Sequence, residues 1–76
     1  MPKIGPVPPE KLIKILTHEG FQIVRRKGSH AILMKDGVRT VIPIHPRKDV
    51  KPGLVRAIIR ETKLTRERFF QLLEEL

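Results

Sequence analysis

The 76-residue sequence contains no cysteine, tryptophan or tyrosine, and three phenylalanines are its whole aromatic content. The lack of cysteine excludes disulfides and thiolate metal ligands. The shortage of aromatic side chains argues against a surface on which the bases of a single strand stack. No apolar run is long enough to cross a bilayer and the first residues do not form a signal peptide, so we expect a cytoplasmic protein. A chain this short predicts one domain, residues 1–76, with a small core.

Acidic residues are also scarce, and their scarcity is greatest in the middle of the chain. Sixteen Lys and Arg stand against eight Asp and Glu, which gives a formal net charge of +8. Residues 21–51 hold eight of the basic residues and two of the acidic ones, so +6 lies there. Such clustering attracts polyphosphate by releasing its counterions and favours recognition through phosphate and shape. An acidic protein, an anionic membrane or a solvated face without a ligand would fit the charge equally well.

The first half of the chain changes from helical to strand-like spacing of its apolar residues. Helical spacing predicts a helix over residues 10–19, with Pro9 suited to its first turn and Gly20 to its end. The pattern after Gly20 is alternating or continuous, which is typical of strands. The predicted strands are Phe21–Arg26, Ala31–Lys35 and Val38–Pro43.

Two further helices are predicted after a basic loop. The loop covers residues 44–51, and its Pro46 ends any strand. The second helix begins near Pro52, and Thr65 is a suitable N-cap for the third. Their expected apolar faces are Leu54, Val55, Ile58 and Ile59 in the second helix, and Phe69, Phe70, Leu72, Leu73 and Leu76 in the third.

The dipeptide Asp36-Gly37 predicts a tight hairpin between the second and third strands, because a type I′ turn needs positive φ at both positions. This turn fixes the register so that the numbers of opposed residues sum to 73. One face then holds Ala31, Leu33, Val38 and Ile42, and the other holds His30, Ile32, Met34, Arg39, Val41 and Pro43. We expect the first face to meet the helices, since the second carries a histidine and an arginine.

The stretch Lys27-Gly28-Ser29-His30, directly after Arg25-Arg26, is the strongest candidate for chemistry. A histidine titrates near neutrality and could exchange a proton at a phosphate that neighbouring cations hold. RNA supplies its own nucleophile in the 2′-hydroxyl, so one well-placed proton carrier and cationic stabilisation can suffice for cleavage. Metal-assisted hydrolysis needs clustered ligands, and the middle of the chain offers only Asp36 and Asp49, so we expect no metal and no cofactor.

The other residues of this region have simpler explanations beside their functional ones. Gly28 would let the backbone approach a phosphate, although a turn between the first two strands is the simpler explanation and the two roles are compatible. His45 is a second candidate proton carrier or only supports the loop, and His18 is a solvated surface residue. The expected RNA-binding residues are Arg25, Arg26, Lys27, Gly28, Ser29, Arg39, Arg47 and Lys48.

The predicted order α-β-β-β-α-α defines an α+β fold, a three-stranded antiparallel sheet with helices on one face. It is similar to the double-stranded-RNA-binding domain, and that likeness alone implies an RNA-binding module. Specific motifs make the likeness more precise, and the chain resembles the HicA family of toxins over nearly its whole length. The motifs that carry this resemblance, in order, are Gly20-Phe21, Arg25-Arg26-Lys27-Gly28-Ser29-His30, Asp36-Gly37, Val41-Ile42-Pro43-Ile44-His45 and Val50-Lys51-Pro52-Gly53-Leu54-Val55-Arg56-Ala57-Ile58.

The resemblance implies an mRNA interferase, a metal-independent endoribonuclease that blocks translation and is held inactive by a HicB-like antitoxin. The catalytic histidine of the family's Gly-Ser-His motif corresponds to His30. The implied assembly is a monomer or weak dimer alone and a hetero-oligomer with the antitoxin. Two other classes of function stay open: a module that binds RNA and cuts nothing, and a DNA-binding regulator, for which the second helix carries little charge.

Overall fold

The computed structural model describes residues 3–76 and has the expected order of elements. These elements are α1 (Pro9–His18), β1 (Gln22–Lys27), β2 (His30–Lys35), β3 (Val38–Pro43), α2 (Pro52–Glu61) and α3 (Arg66–Glu75). The prediction of an α-β-β-β-α-α fold is therefore confirmed, with boundaries displaced by one residue at several ends. The displacement that matters is in β2, which begins at His30 rather than after it.

The three strands form one antiparallel sheet in the order β1-β2-β3. Strands β2 and β3 pair from Lys35 with Val38 to His30 with Pro43, the predicted register. Asp36 and Gly37 have φ values of 48° and 80°, so the type I′ turn that sets this register is confirmed. Strand β1 is less regular, because a β-bulge interrupts its pairing with β2.

One face of the sheet is buried under the helices. Ala31, Leu33 and Ile42 are fully buried on this face, which confirms the predicted choice of core. Thr40 is buried with them, and its hydroxyl donates a hydrogen bond of 3.1 Å to Glu61 on α2. The other face, which we call the open face, keeps its side chains exposed or half-buried.

Each helix contributes a stripe to the same core. The residues that each helix buries are Pro9, Leu12, Ile13, Ile15 and Leu16 in α1, Val55, Ile58 and Ile59 in α2, and Phe69 and Leu72 in α3. The prediction for Leu54 is wrong, because its side chain is 41% exposed. At 3.6 residues per turn, Leu54 lies about 90° from the centre of the buried α2 stripe, at its solvent edge. Thr65 caps α3 as predicted, since its hydroxyl accepts a hydrogen bond of 3.1 Å from the Arg68 backbone.

The proline-rich segment before α1 pairs with the loop before α2, a contact that the sequence pattern does not indicate. Val7 and Val50 exchange backbone hydrogen bonds of 3.1 and 2.7 Å, and both side chains are buried. Ile4 is buried in the same core. This pairing holds the end of the basic loop against the start of α1.

Candidate active site

His30 lies at the first position of the central strand, on the open face of the sheet. Its cross-strand partners are Lys27 on β1 and Pro43 on β3, and all three side chains are on the same face. The next row on that face is Arg25, Ile32 and Val41. The imidazole is half-buried while Lys27 is exposed, so a ligand on the open face can reach both.

The two-residue connection Gly28-Ser29 joins β1 to β2 beside the imidazole. Ser29 Oγ lies 3.4 Å from His30 Nδ1, at the long end of the hydrogen-bonding range. A contact at Nδ1 leaves Nε2 as the ring nitrogen available to a substrate. A Cβ built on Gly28 would meet no described atom within 4 Å, and Gly28 is not among the glycines with positive φ. Neither packing nor φ therefore requires glycine at this position, and the Gly28 backbone is open to solvent.

The adjacent arginines of β1 lie on opposite faces of the sheet. Arg25 pairs with Ile32 and shares the open face with His30, whereas Arg26 pairs with the buried Ala31. The Arg26 guanidinium reaches the start of α1, where both of its terminal nitrogens donate to the Glu10 carboxylate, one of them at 3.3 Å. This hydrogen bonding raises the pKa of Arg26 above its ordinary value.

The remaining candidate cations are divided between two places. Arg39 lies on the open face opposite Met34, four residues along β3 from the level of His30, or about 13 Å at 3.3 Å per residue. Arg47 and Lys48 lie exposed in a turn closed by a 3.2 Å hydrogen bond from the Lys48 amide to the His45 carbonyl. Arg47 has a φ of 59°, so this turn is tight.

The loop after β3 is attached to the Gly28-Ser29 turn. The Ile44 amide donates a 2.8 Å hydrogen bond to the Ser29 carbonyl, which continues the β2–β3 ladder beyond His30. His45 therefore follows directly at the same end of the sheet, with an exposed side chain. The structure thus brings His30, Lys27, Gly28 and Ser29 together, and places the loop beside them.

A groove of about 330 Å³ opens between the start of α1 and this loop. Its lining consists of Pro8, Pro9, Glu10 and the loop residues 44–49. The sequence pattern does not indicate this groove, because the groove forms from segments more than thirty residues apart whose proximity depends on the Val7–Val50 pairing. The proline-rich composition before α1 indicates only that this segment is not helical.

The open face combines apolar and cationic side chains. Val24, Met34 and Val41 are 54%, 37% and 38% exposed, and Arg25 and Lys27 lie on the same strands.

Among residues 3–76, no three His, Asp or Glu side chains come together as a metal site. No helix within that range is long and apolar enough to span a membrane.

The fold is that of a small α+β domain, with one sheet face covered by helices and basic side chains on the other. The family model described as the HicA toxin of bacterial toxin–antitoxin systems matches residues 9–64, and the chain belongs to that family. The match extends from α1 to the end of α2 and includes His30 with its turn. No match is found among curated proteins. Membership gives the chain a toxin role and implies an antitoxin partner.

Proposed function

We propose that this toxin is a metal-independent endoribonuclease that cleaves mRNA, with His30 as its catalytic residue. The observation that carries the proposal is the position of the imidazole on the open face, in one cross-strand row with Lys27 and beside the Gly28-Ser29 turn. Arg25 adds a second cation in the next row. A proton carrier surrounded by phosphate-binding groups is what cleavage through the 2′-hydroxyl requires.

The reaction is an intramolecular transesterification of the RNA backbone. The 2′-oxygen forms a bond to phosphorus while the bond from phosphorus to the 5′-oxygen breaks, which leaves a 2′,3′-cyclic phosphate and a free 5′-hydroxyl. His30 either accepts the proton of the 2′-hydroxyl or donates a proton to the leaving oxygen, and water exchanges the other proton. Lys27 and Arg25 stabilise the additional negative charge at phosphorus, and the Gly28 backbone leaves room for the phosphate oxygens.

The alternative is a module that binds RNA with the same surface and cuts nothing. Purified wild-type protein, His30→Ala and the matched control His18→Ala should be incubated with RNA in excess chelator. His18 is exposed on α1, so its loss tests the removal of a histidine without touching the open face. We expect cleavage by wild type and His18→Ala only. Binding without cleavage by all three proteins would favour the alternative.

We further propose that a HicB-like antitoxin inhibits the toxin by covering the open face. The exposed apolar residues Val24, Met34 and Val41 provide area to bury, and Arg25 and Lys27 favour a partner with carboxylates around its contact surface. Co-expression of such a protein should rescue growth that this chain alone arrests. In the complex, the His30 ring should be protected from solvent. An antitoxin that binds tightly but leaves the His30 ring accessible would contradict this arrangement.

A further inference from the structure

We propose that the groove between the start of α1 and the loop 44–49 binds one unpaired nucleobase of an RNA whose scissile phosphate lies at His30. The inference rests on the proposed ribonuclease function for its biological meaning, and the site itself is defined by the groove alone. The preferred bases are those with an exocyclic amino group, namely adenine, cytosine and guanine.

Two contacts join the groove to the candidate active site. The first is the 2.8 Å hydrogen bond from the Ile44 amide to the Ser29 carbonyl, which attaches one groove wall to the residue before His30. The second is the ion pair of Arg26 with Glu10, which attaches the other wall to the residue before Lys27. The groove and the Gly28-Ser29 turn therefore lie at the same end of the sheet. Glu10 and Arg26 are on the helix-covered side of the sheet, whereas His30 is on the open face. An RNA strand that passes around the Gly28-Ser29 turn can therefore have its scissile phosphate at His30 and a neighbouring base in the groove.

The size and walls of the groove suit one flat, partly apolar group. Its volume of about 330 Å³ lies near the lower end of the roughly 300–1,000 Å³ that pockets for small molecules occupy. Pro8 and Pro9 form one apolar wall, and Ile44 and Pro46 form part of the other. Such a space admits the face of one base but excludes a base pair within a helix. Only an unpaired nucleotide can therefore enter it.

The polar groups of the groove distinguish a base from a phosphate. The Asp49 carboxylate accepts hydrogen bonds and repels phosphate, whereas both oxygens of Glu10 already accept from Arg26. An exocyclic amino group at the edge of a base donates to such an acceptor, whereas uracil offers only its N3–H, which lies between two carbonyl oxygens that a carboxylate repels. Arg47 and Lys48 on the rim carry the charge for the neighbouring phosphates. This arrangement gives the toxin a preference at one position of its substrate.

The groove can be tested by binding, without cleavage. His30→Ala protein labelled with nitrogen-15 should be titrated with cytidine 5′-monophosphate, uridine 5′-monophosphate and ribose 5-phosphate. We expect amide shifts at Glu10, Ile44 and Lys48 with the cytidine nucleotide, and affinity about fivefold weaker for the uridine nucleotide, as for one lost hydrogen bond. Ribose 5-phosphate should shift only the cationic positions around Gly28 and on the groove rim, Lys48 among them, and should leave Glu10 and Ile44 unchanged. Identical shifts and affinities for all three compounds would overturn the proposal.

A matched pair of substitutions tests the source of the base preference. Asp49→Asn should abolish the preference for cytidine over uridine, because the amide both donates and accepts. Asp36→Asn makes the same chemical change in the hairpin turn at the opposite end of the sheet, and it should preserve the preference. Loss of the preference in both variants, or in neither, would contradict a role for the Asp49 carboxylate.

A cleavage assay then connects the groove to catalysis. In a short RNA with one cleavage site, an abasic nucleotide on one side of the scissile phosphate should lower kcat/KM about tenfold, while the same change four nucleotides away should have little effect. Equal cleavage of the abasic and intact RNA would refute a base subsite. If wild-type protein cleaves no RNA, the proposed ribonuclease function fails, whereas the nucleotide titration still decides whether the groove binds a base.

Discussion

Arg25 and Arg26 offer a sharp test of the RNA-binding surface, because they are neighbours in sequence with the same side chain on opposite faces of the sheet. Arg25 lies on the open face in the row next to His30, and Arg26 is ion-paired with Glu10 beneath the sheet. The charge of Arg26 is therefore already balanced by a carboxylate. We expect Arg25→Ala to weaken RNA binding and Arg26→Ala to leave it nearly unchanged.

The expected magnitude follows from counterion release. Each phosphate contact with a single strand contributes about 0.7 to the slope of log affinity against log salt concentration. Loss of one contact at Arg25 should reduce the slope by about 0.7, so the loss of affinity at 50 mM salt should exceed that at 200 mM by roughly 2.5-fold. A charge-assisted hydrogen bond adds about 1.5 kcal/mol, or roughly tenfold in affinity, at low salt. Arg26→Ala should change the slope by less than about 0.2.

Fluorescence anisotropy with a labelled 2′-O-methyl RNA measures these slopes, since that RNA lacks the nucleophile and stays intact. Titrations of wild type and both variants at several salt concentrations give the comparison directly. Circular dichroism should show that both variants remain folded. Equal losses of slope in the two variants would refute the argument, because it would mean that the Glu10 pair opens and Arg26 contacts phosphate. A flat salt response of wild type would mean that the open face serves only a protein partner.

Three further outcomes can be measured. His30→Ala should slow cleavage by about 100- to 10,000-fold while keeping RNA affinity. Wild-type products should end in a 2′,3′-cyclic phosphate detectable by mass spectrometry, and products with a 3′-hydroxyl would contradict the mechanism. Gly20→Ala should destabilise the fold by about 1–2 kcal/mol in urea denaturation, because Gly20 has a φ of 101° and the added Cβ would lie 3.3 Å from the Lys35 side chain. An unchanged denaturation midpoint would show that the backbone relaxes to accept the alanine. Hydrogen bonding from Arg68 holds the pKa of Glu19 below its ordinary value of 4.5, so the ionised pair stabilises the fold above that pH, and the stabilisation is lost as the pH falls through the lowered pKa. The free energies of unfolding of wild type and Glu19→Gln should therefore differ at neutral pH and converge in acid. A difference that stays constant with pH would exclude the ion pair as its cause.

The β2–β3 hairpin was predictable because its determinants are local. Asp36-Gly37 dictates a two-residue turn, and that turn sets every pair from Lys35 with Val38 to His30 with Pro43. The choice of core face followed from one histidine and one arginine on the other face, and the burial of Leu33 and Ile42 confirms it. The position of His30 on the open face was therefore contained in the sequence. The assignment of its chemistry is still a prediction.

The groove and the Glu10–Arg26 ion pair were not predictable, since both depend on contacts between distant segments. Residues 3–8 carry prolines and offer no periodicity, yet Val7 pairs with Val50 and brings the basic loop to the start of α1. Nothing local indicates that pairing. The predicted burial of Leu54 is wrong for a related reason. The apolar residues around Leu54 favour burial, but the side of α2 that packs against the core does not include it.

The bulge in β1 determines which arginine belongs to the open face. Before the bulge, Gln22 faces Met34 and Ile23 faces Leu33, so an uninterrupted ladder would place Arg25 opposite Ala31 and Arg26 opposite His30. The extra residue at Val24 shifts the pairing by one, and a shift of one residue reverses every face in a strand. Consequently Arg25 joins the open face, Arg26 lies on the helix side and pairs with Glu10 in an exposed contact, and Lys27 becomes the neighbour of His30. A basic run without alternation cannot reveal this choice, which is why sequence alone treats Arg25 and Arg26 alike whereas the sheet gives them different roles.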